Sequence, residues 1–227
     1  MAPRPKRALA RREPLTRDRV LVAALRLVDR EGIEALSMRR LGQELGVEAM
    51  SLYNHVRNKD EVLDGLVDVV FAEIDLPAAG DWRRAMRRRA ISAREMLGRR
   101  PWALGLMESR RRPGVATLRH HDSVLGILRK AGFSVEAAGH AYSVLDSYIY
   151  GFALNEQSLP LDTSSDVADV GTAILQQNVA NAFPNLAEFI TKLAMKPGYS
   201  YAAEFEFGLD LILDGLERTR RPARRKA

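Results

Sequence analysis

Cysteine is absent from this chain of 227 residues, which excludes disulfide bonds and thiolate metal sites. Long apolar runs are absent too, since no stretch approaches the roughly 18 residues that a membrane-spanning helix needs. The first twenty residues lack the apolar segment of a secretion signal. These absences predict a protein of the reducing cytoplasm that has no membrane partner.

The residues that are present predict a helical protein with a polyanionic partner. Hydrophobic residues make up 46% of the chain, enough for the cores of one large or two modest domains. The net charge of +6 favours a partner rich in negative charge. Glycine and proline cluster between segments of helical periodicity, and no segment alternates convincingly as a strand does. We therefore predict an all-α fold.

Both ends of the chain are basic. Residues 1–15 are rich in arginine, lysine, proline and alanine, which predicts a disordered arm. This arm either touches phosphates or a minor groove, or is a solvated tail without a specific role. Residues 220–227 are predicted to be a frayed basic tail.

Four residues mark where the first helices start and stop. Thr16 and Ser37 have hydroxyl oxygens that can accept hydrogen bonds from the free amides of a first helical turn. Gly32 and Gly46 can end a helix because glycine adopts positive φ without steric cost. The pattern predicts one amphipathic helix after Thr16, a second after Ser37 and a tight turn at Gly46.

A short helix is predicted at 48–55, directly after the glycine turn. Two helices joined in this way have the layout of a helix-turn-helix, which places its second helix in the major groove of DNA. The third helix of an ordinary bundle would be apolar on most faces, whereas the outer face here carries Glu48, Ser51, Asn54 and His55. The sequence therefore predicts DNA readout.

The predicted DNA contacts come from both helices and from the start of the next one. Ser51 and Asn54 can hydrogen-bond to base edges, and Lys59 lies where a helix N-terminus favours a phosphate. One of Arg39 and Arg40 is expected to reach a base or the backbone. The full predicted set is Ser37, Met38, Arg39, Arg40, Ala49, Met50, Ser51, Tyr53, Asn54, His55 and Lys59.

The next helix begins at Asn58 and Glu61, which have the spacing of a capping box. Pro77 and Gly80 follow its apolar stripe, so we place a DNA-binding domain at 16–76 and a second domain at 77–219. The predicted helices of this second domain are 81–99, 101–109, 114–131, 134–158, 166–195 with a break at Pro184, and 199–219.

Two of these helices, 134–158 and 199–219, are apolar on more than one face. A helix that is apolar nearly all round is buried on both sides. One side would face the core of its own subunit, and the other would face a second copy across a two-fold axis. We predict a homodimer that is formed through a four-helix interface.

Aromatic, methionine and leucine residues from several helices are predicted to converge near 101–109. Together with a few polar groups they can line a concave site for a small molecule, although a solid core of the same residues is the simpler alternative. The predicted lining is Trp82, Met86, Trp102, Leu106, Met107, Leu118, His121, Leu125, Tyr142, Asp146, Ile149 and Asn178.

The motifs together resemble the TetR family of transcriptional repressors. The resemblance runs through Ser37–Leu41, Leu45–Val47, Leu52–Val56 and Asn58–Lys59, and more loosely through the second domain to near residue 219. It implies a homodimer, a regulatory domain that binds a small molecule, and loss of operator binding when that molecule arrives.

The resemblance also bears on the chemistry of the effector. The tetracycline repressor chelates magnesium–tetracycline partly through a histidine, and Met107 stands where that histidine would fall. We therefore expect a hydrophobic or amphipathic effector and no metal or cofactor.

Two other functions were weighed against a ligand-controlled repressor. A ligand-independent DNA-binding or architectural protein would need only the basic charge and would show little sequence preference. A small helical enzyme would need a nucleophile with its base, a phosphate loop or a metal spacing, and the sequence has none of these. We predict that the protein is not an enzyme.

Overall fold

The computed structural model describes residues 14–75, 80–110, 112–158, 164–176 and 179–220, and every regular element in these ranges is helical. The predicted all-α fold is thereby confirmed. Nearly all of the basic arm and the tail lie outside the described ranges. None of the described helices is both long and apolar enough to cross a lipid bilayer.

The chain forms two compact units, Met1–Val67 and Asp68–Ala227. The first contains α1 (Arg17–Glu31), a 3-10 turn (Ile33–Ala35), α2 (Met38–Leu45), α3 (Ala49–Leu52) and the first half of α4 (Lys59–Glu73). The domain boundary predicted after residue 76 stays a prediction.

The second unit begins with the remainder of α4. Its other helices are α5 (Trp82–Arg99), α6 (Pro101–Ser109), α7 (Val115–Lys130), α8 (Val135–Ser158), α9 (Ser164–Leu175), α10 (Val179–Ala182), α11 (Pro184–Phe189), a π-helical turn (Ile190–Ala194) and α12 (Tyr201–Thr219).

The helix ends of the first unit form where the local signals predict them. The Thr16 hydroxyl accepts from the amide of Arg19, and the Ser37 hydroxyl accepts from the amide of Arg40, each at 3.2 Å. Gly46 ends α2 in the left-handed region, at φ 67° and ψ 34°. These ends set the angle between α2 and α3, over a core that includes the fully buried Leu41 and Leu52.

The capping box at the start of α4 forms in a shifted version. The Asn58 side chain accepts from the amide of Glu61 at 2.9 Å, as predicted. The Glu61 carboxylate, however, accepts from the amide of Arg57 at 2.9 Å and also from the Arg57 side chain. In an ordinary capping box the Glu61 carboxylate would accept from the amide of Asn58 itself. Here it accepts from the preceding residue, because the Arg57 guanidinium also donates to it.

α8 is the central helix of the second unit, and it packs against α5, α6, α7 and α12. Leu145 and Ile149 on α8 are fully buried, as are Phe205 and Leu209 on α12. This apolar contact holds together the helices that carry the predicted effector residues.

The segment predicted as one helix at 166–195 is more divided than predicted. Pro184 begins α11, where its missing N–H group costs nothing. Phe183 precedes it with φ −136° and ψ 67°, because a residue before proline is pushed away from helical geometry. α9, α10, α11 and the π-helical turn therefore replace a single broken helix.

Candidate DNA-binding surface and effector core

α3 is shorter than the helix predicted at 48–55. It spans only the four residues Ala49–Leu52, and the chain continues as a turn in which Tyr53 keeps right-handed helical angles. The amides of His55 and Val56 both donate to the carbonyl oxygen of Leu52, at 2.9 and 3.0 Å. The turn therefore extends the outer surface of α3 without continuing the helix.

The polar and apolar sides of this segment are separated as a groove-reading element requires. Leu52 and Val56 are buried, whereas Met50 is 75% and Tyr53 is 45% exposed. Of the other predicted contacts, Ser37, Asn54 and Lys59 are exposed, and Met38, Ala49, Ser51 and His55 are half-buried. An exposed Met50 beside polar neighbours suits contact with a base edge better than core packing.

The two arginines of α2 have different surroundings. Arg40 donates through Nη2 to both carboxylate oxygens of Glu31, at 2.9 and 3.1 Å. Arg39 is exposed and has no ion pair among the residues that the structure describes. Because Arg40 is already paired, Arg39 is the better placed of the two for a nucleic-acid contact.

A surface cluster extends this pairing and consists of Arg30, Glu31, Arg40 and Glu44. Arg30 donates to Glu31 at 2.9 Å and to Glu44 at 3.0 Å. Hydrogen bonds from Arg40 and then from Arg30 lower the pKa of Glu31, and a hydrogen bond from Arg30 lowers that of Glu44. The cluster ties the end of α1 to both ends of α2.

The predicted effector residues divide by burial in the second unit. Trp82, Met86, Leu106, Asp146 and Ile149 are buried. Trp102, Met107, His121 and Tyr142 are half-buried. Leu118 and Leu125 are 54% and 38% exposed, so the structure does not place them in this core. Asn178 lies outside the described residues.

Leu118 and Leu125 are exposed because α7 turns a different face inward. Thr117, His120 and Val124 are the buried residues on the inner side of the helix. His120 therefore takes the inward position that the sequence analysis expected for His121.

His120 belongs to a buried polar cluster with Arg89 and Asp146. Arg89 donates through Nε to His120 Nε2 at 2.9 Å and through Nη2 to Asp146 Oδ1 at 2.5 Å. Arg89 is 1% exposed, His120 is fully buried and Asp146 is 9% exposed. Burial, and then the charge of Arg89, lower the pKa of His120 to about 3. The ring is therefore neutral, and because Nε2 accepts, its proton is on Nδ1.

Aromatic rings surround the buried polar cluster. The guanidinium carbon of Arg89 lies 5.5 Å from the centre of the Tyr142 ring, and His121 meets that ring edge to face at 5.3 Å. Burial raises the pKa of Tyr142, and nearby Asp146 raises it further. Phe71 contacts the rings of His120 and His121 at 5.3 and 5.5 Å. The final turn of α4 thus touches the cluster.

A second contact joins α4 to the start of α7. Asp68 Oδ1 accepts from the Thr117 amide at 2.8 Å and from the Thr117 hydroxyl at 3.0 Å. Thr117 lies in the first turn of α7, so the carboxylate caps that helix in place of a local side chain. Gly114 allows this approach, since a Cβ there would collide with the carboxylate.

The sequence analysis did not name Arg89, His120 or Phe71 as site residues, although the position of Arg89 carries a signal. Arg89 follows Met86 by three residues and precedes Ala93 by four, so it lies within the apolar stripe of its helix. A charged residue in such a stripe needs a buried partner, and it marks a site more specifically than the surrounding apolar residues do.

Trp82 has a structural position rather than one inside the cluster. Its indole N–H donates to Glu217 at 3.1 Å, and its ring meets Phe133 edge to face at 4.9 Å. These contacts fix the start of α5 against the end of α12 and against the turn between α7 and α8. Within the described ranges, no group of three or more histidine, aspartate or glutamate residues is arranged to hold a metal ion.

Two family models match the chain. Residues 20–66 match the model described as bacterial regulatory proteins, tetR family, and residues 76–220 match the tetracyclin repressor-like C-terminal domain. The HTH-type transcriptional repressor DrrR1 of Streptomyces coeruleorubidus is 34% identical over 213 residues, which cover 89% of this chain and 77% of the relative. The class C tetracycline repressor of Escherichia coli is 30% identical over 211 residues, covering 91% and 92%.

Solved structures show the same similarity. The TetR family protein ActR of Streptomyces coelicolor, in complex with actinorhodin, superposes with a TM-score of 0.79 at 31% identity. The match covers 93% of this chain and 99% of that one. The similarity therefore extends over both units and is not confined to the helix-turn-helix.

Proposed function

The chain belongs to the TetR family of transcriptional regulators, and on that premise we propose that it is a homodimeric repressor of a palindromic operator. A small hydrophobic or amphipathic ligand, bound in the second unit, releases it from DNA. The observation that carries the proposal is the outer surface of α3 and of the turn after it, where Met50, Tyr53 and Asn54 are exposed over the buried Leu52 and Val56.

Exposed apolar residues on α8 and α12 support the dimer. Val144 and Leu154 of α8 are 46% and 56% exposed, and Phe207 and Leu211 of α12 are 65% and 58% exposed. Large apolar side chains left in water favour burial against a partner, and a two-fold axis would pair the two helices with their copies. Such a dimer can set two recognition elements about 34–36 Å apart, one turn of DNA.

α4 supplies a route from effector to operator. It carries Lys59 in its first turn and Phe71 in its last, and Phe71 touches the histidines of the effector core. A ligand that moves these rings would displace Phe71 and, with it, the helix that bears Lys59. The ligand needs only to bind more tightly to one of the two positions of α4 than to the other, typically with a coupling free energy of about 1–3 kcal/mol.

The effector is proposed to differ from magnesium–tetracycline. Met107 stands where the resemblance to the tetracycline repressor implies a metal-binding histidine, and a thioether is a poor ligand for magnesium. ActR was solved with the small molecule actinorhodin, which supports a small-molecule effector for this chain as well.

Operator binding tests the proposal directly. Purified protein is bound to fragments of the DNA flanking its own gene, and the bound region is mapped by footprinting. We expect a protected palindrome, and we expect Tyr53→Ala and Lys59→Ala to weaken it. Uniform coating of every fragment without a protected site would instead indicate an architectural protein and overturn the repressor assignment.

The dimer is tested through its exposed apolar residues. We expect Phe207→Glu with Leu211→Glu to convert a dimer into a monomer in light scattering after gel filtration. Val115→Glu, which replaces an apolar residue that is 68% exposed on α7, is the matched control and should leave the dimer intact. A wild-type monomer at all concentrations would contradict the proposed assembly.

A further inference from the structure

Two hydrogen-bond donors in the buried polar cluster lack acceptors. Among the residues that the structure describes, neither Arg89 Nη1 nor His120 Nδ1 has a hydrogen-bond partner, and both atoms are inaccessible to solvent. A buried donor without an acceptor is costly, and such groups are rare in folded proteins. These two atoms therefore require acceptors that the described protein atoms do not provide.

The geometry of the two side chains requires a separate acceptor for each donor. The Nε and Nη2 atoms form one edge of the Arg89 guanidinium, and this edge is occupied by His120 and Asp146. Nη1 lies at the other end of the planar group. The two nitrogens of an imidazole point away from each other, so His120 Nδ1 faces away from Arg89.

The charges of the cluster select the kind of acceptor. Arg89 is positive, Asp146 is negative and His120 is neutral, so the cluster carries no net charge. An anion would leave an uncompensated negative charge in a buried site, which is strongly unfavourable. A hydroxyl group would bring a proton that needs its own acceptor. A carbonyl oxygen avoids both costs.

We propose that Arg89 Nη1 and His120 Nδ1 bind carbonyl oxygens of an uncharged effector. The proposal rests on the proposed function, because it assigns the effector's chemical class at the core that controls DNA binding. The rings of Tyr142, His121 and Phe71 contact the same cluster and suit the flat apolar part of such a ligand. His120 also contacts Phe71 on α4, so a single side chain separates a ligand bound to His120 from α4.

Three probes of nearly equal shape test the acceptor. They are 2-acetylnaphthalene, 2-ethylnaphthalene and 2-naphthoate, which present a ketone, a hydrocarbon and a carboxylate on the same ring system. Calorimetry with the full chain should show the ketone binding about tenfold or more tightly than the hydrocarbon. We expect the carboxylate to bind more weakly than the ketone. Equal binding of ketone and hydrocarbon, preference for the carboxylate, or no binding of the ketone at its solubility limit overturns the proposal.

Variants then locate the preference. Arg89→Met with Asp146→Leu removes both charges together, which avoids leaving one of them unpaired. His120→Phe removes the second donor with little change in volume. In at least one of them the ketone should lose its advantage over the hydrocarbon. Arg94→Met with Glu156→Leu is the matched control, because this pair also joins α5 to α8 but lies outside the cluster. Loss of the preference only in the control variant contradicts the assignment.

A spectroscopic measurement tests His120 directly and leaves Arg89, His120 and Asp146 in place. The chain has four histidines, so the imidazole nitrogens of His120 can be assigned by replacing the other three with glutamine. We expect a protonated Nδ1 whose resonance shifts with the ketone and much less with the hydrocarbon. A His120 ring that is protonated on Nε2 contradicts the proposal. So does an Nδ1 resonance that the ketone leaves unchanged although the preference for the ketone is lost in His120→Phe.

The same probes separate this inference from the proposed function. Ketone binding that depends on Arg89 or His120, but leaves operator binding unchanged, supports the carbonyl site and contradicts its role as the effector site. Release from the operator by a ligand that binds equally well without Arg89 and His120 supports the repressor and overturns the carbonyl site.

Discussion

The two arginine-centred clusters of this chain place the same functional groups in opposite environments. In the surface cluster, Arg30 and Arg40 share Glu31, and solvent can reach the groups that protein atoms leave unpaired. In the buried polar cluster, Arg89 is 1% exposed, and among the described residues it donates hydrogen bonds to His120 and Asp146. An arginine–carboxylate pair on the surface therefore positions helices, whereas a buried one specifies what else can bind beside it.

Removal of Arg89 should give the largest effect. Arg89→Ala leaves Asp146 buried without its partner, and we expect the free energy of unfolding to fall by about 3–5 kcal/mol. Urea denaturation followed by circular dichroism measures it. Arg89→Met with Asp146→Leu should recover most of the loss. A single variant that is as stable as wild type would show that Asp146 does not depend on Arg89.

The two clusters should lose their contributions to the free energy of unfolding in different pH ranges. The pKa of His120 is about 3 in the folded state, below its ordinary value, so the unfolded chain takes up a proton that the folded chain does not. The free energy of unfolding therefore falls as pH drops, by about 2 kcal/mol between pH 7 and pH 5. Burial also lowers the pKa of His121, which acts in the same direction.

Replacement of the histidine is the control for this pH dependence. His120→Phe should flatten most of the slope between pH 7 and pH 5. The lowered pKa values of Glu31 and Glu44 contribute stability that is lost only in more acidic solution, below the ordinary glutamate range. If the slope were unchanged in His120→Phe, groups other than His120 would be its cause.

The two arginines of α2 should differ in their effect on operator binding. Arg39→Ala should weaken binding several-fold and lower the slope of log affinity against log salt by about one, as expected for one lost phosphate contact. Arg40→Ala should have a smaller effect, because Glu31 already holds that guanidinium. Glu31→Gln should increase the effect of Arg40→Ala. Equal effects of both arginines in the wild-type background would contradict this distinction.

The smallest effect should come from the surface cluster itself. Arg30→Ala removes two exposed ion pairs, and pairs of this kind contribute little because solvent and salt screen them. We expect the urea midpoint to shift only slightly and the shift to shrink further in high salt. A loss comparable to that of Arg89→Ala would mean that exposure does not distinguish the two clusters.

Local chemistry made much of the fold predictable. The caps at Thr16 and Ser37 and the left-handed Gly46 depend on neighbouring atoms, and the structure has them where the sequence indicates. The same holds for Pro101, which begins α6. For the second unit, the resemblance to the TetR family predicted a regulatory domain where local signals alone gave only the helices.

Contacts between distant residues were less predictable. Arg89 lies 31 residues from His120 and 57 from Asp146 along the chain, and only packing brings them together. The sequence is compatible with either Leu118 and His121 or Thr117 and His120 on the inner face of α7, and in the structure the inner face carries His120, which accepts a hydrogen bond from Arg89. The sequence analysis named Asp146 and His121 but not the arginine that organises them.

The close fit of Gly114 against Asp68 has a consequence for how this chain can diverge. Any side chain at 114 would displace the carboxylate from Thr117 and uncap α7. A substitution at 68 that removes the carboxylate would free space at 114, so a change at one position alters what the other tolerates. Substitutions at 68 and 114 are therefore expected to occur together, and not independently, as the chain evolves.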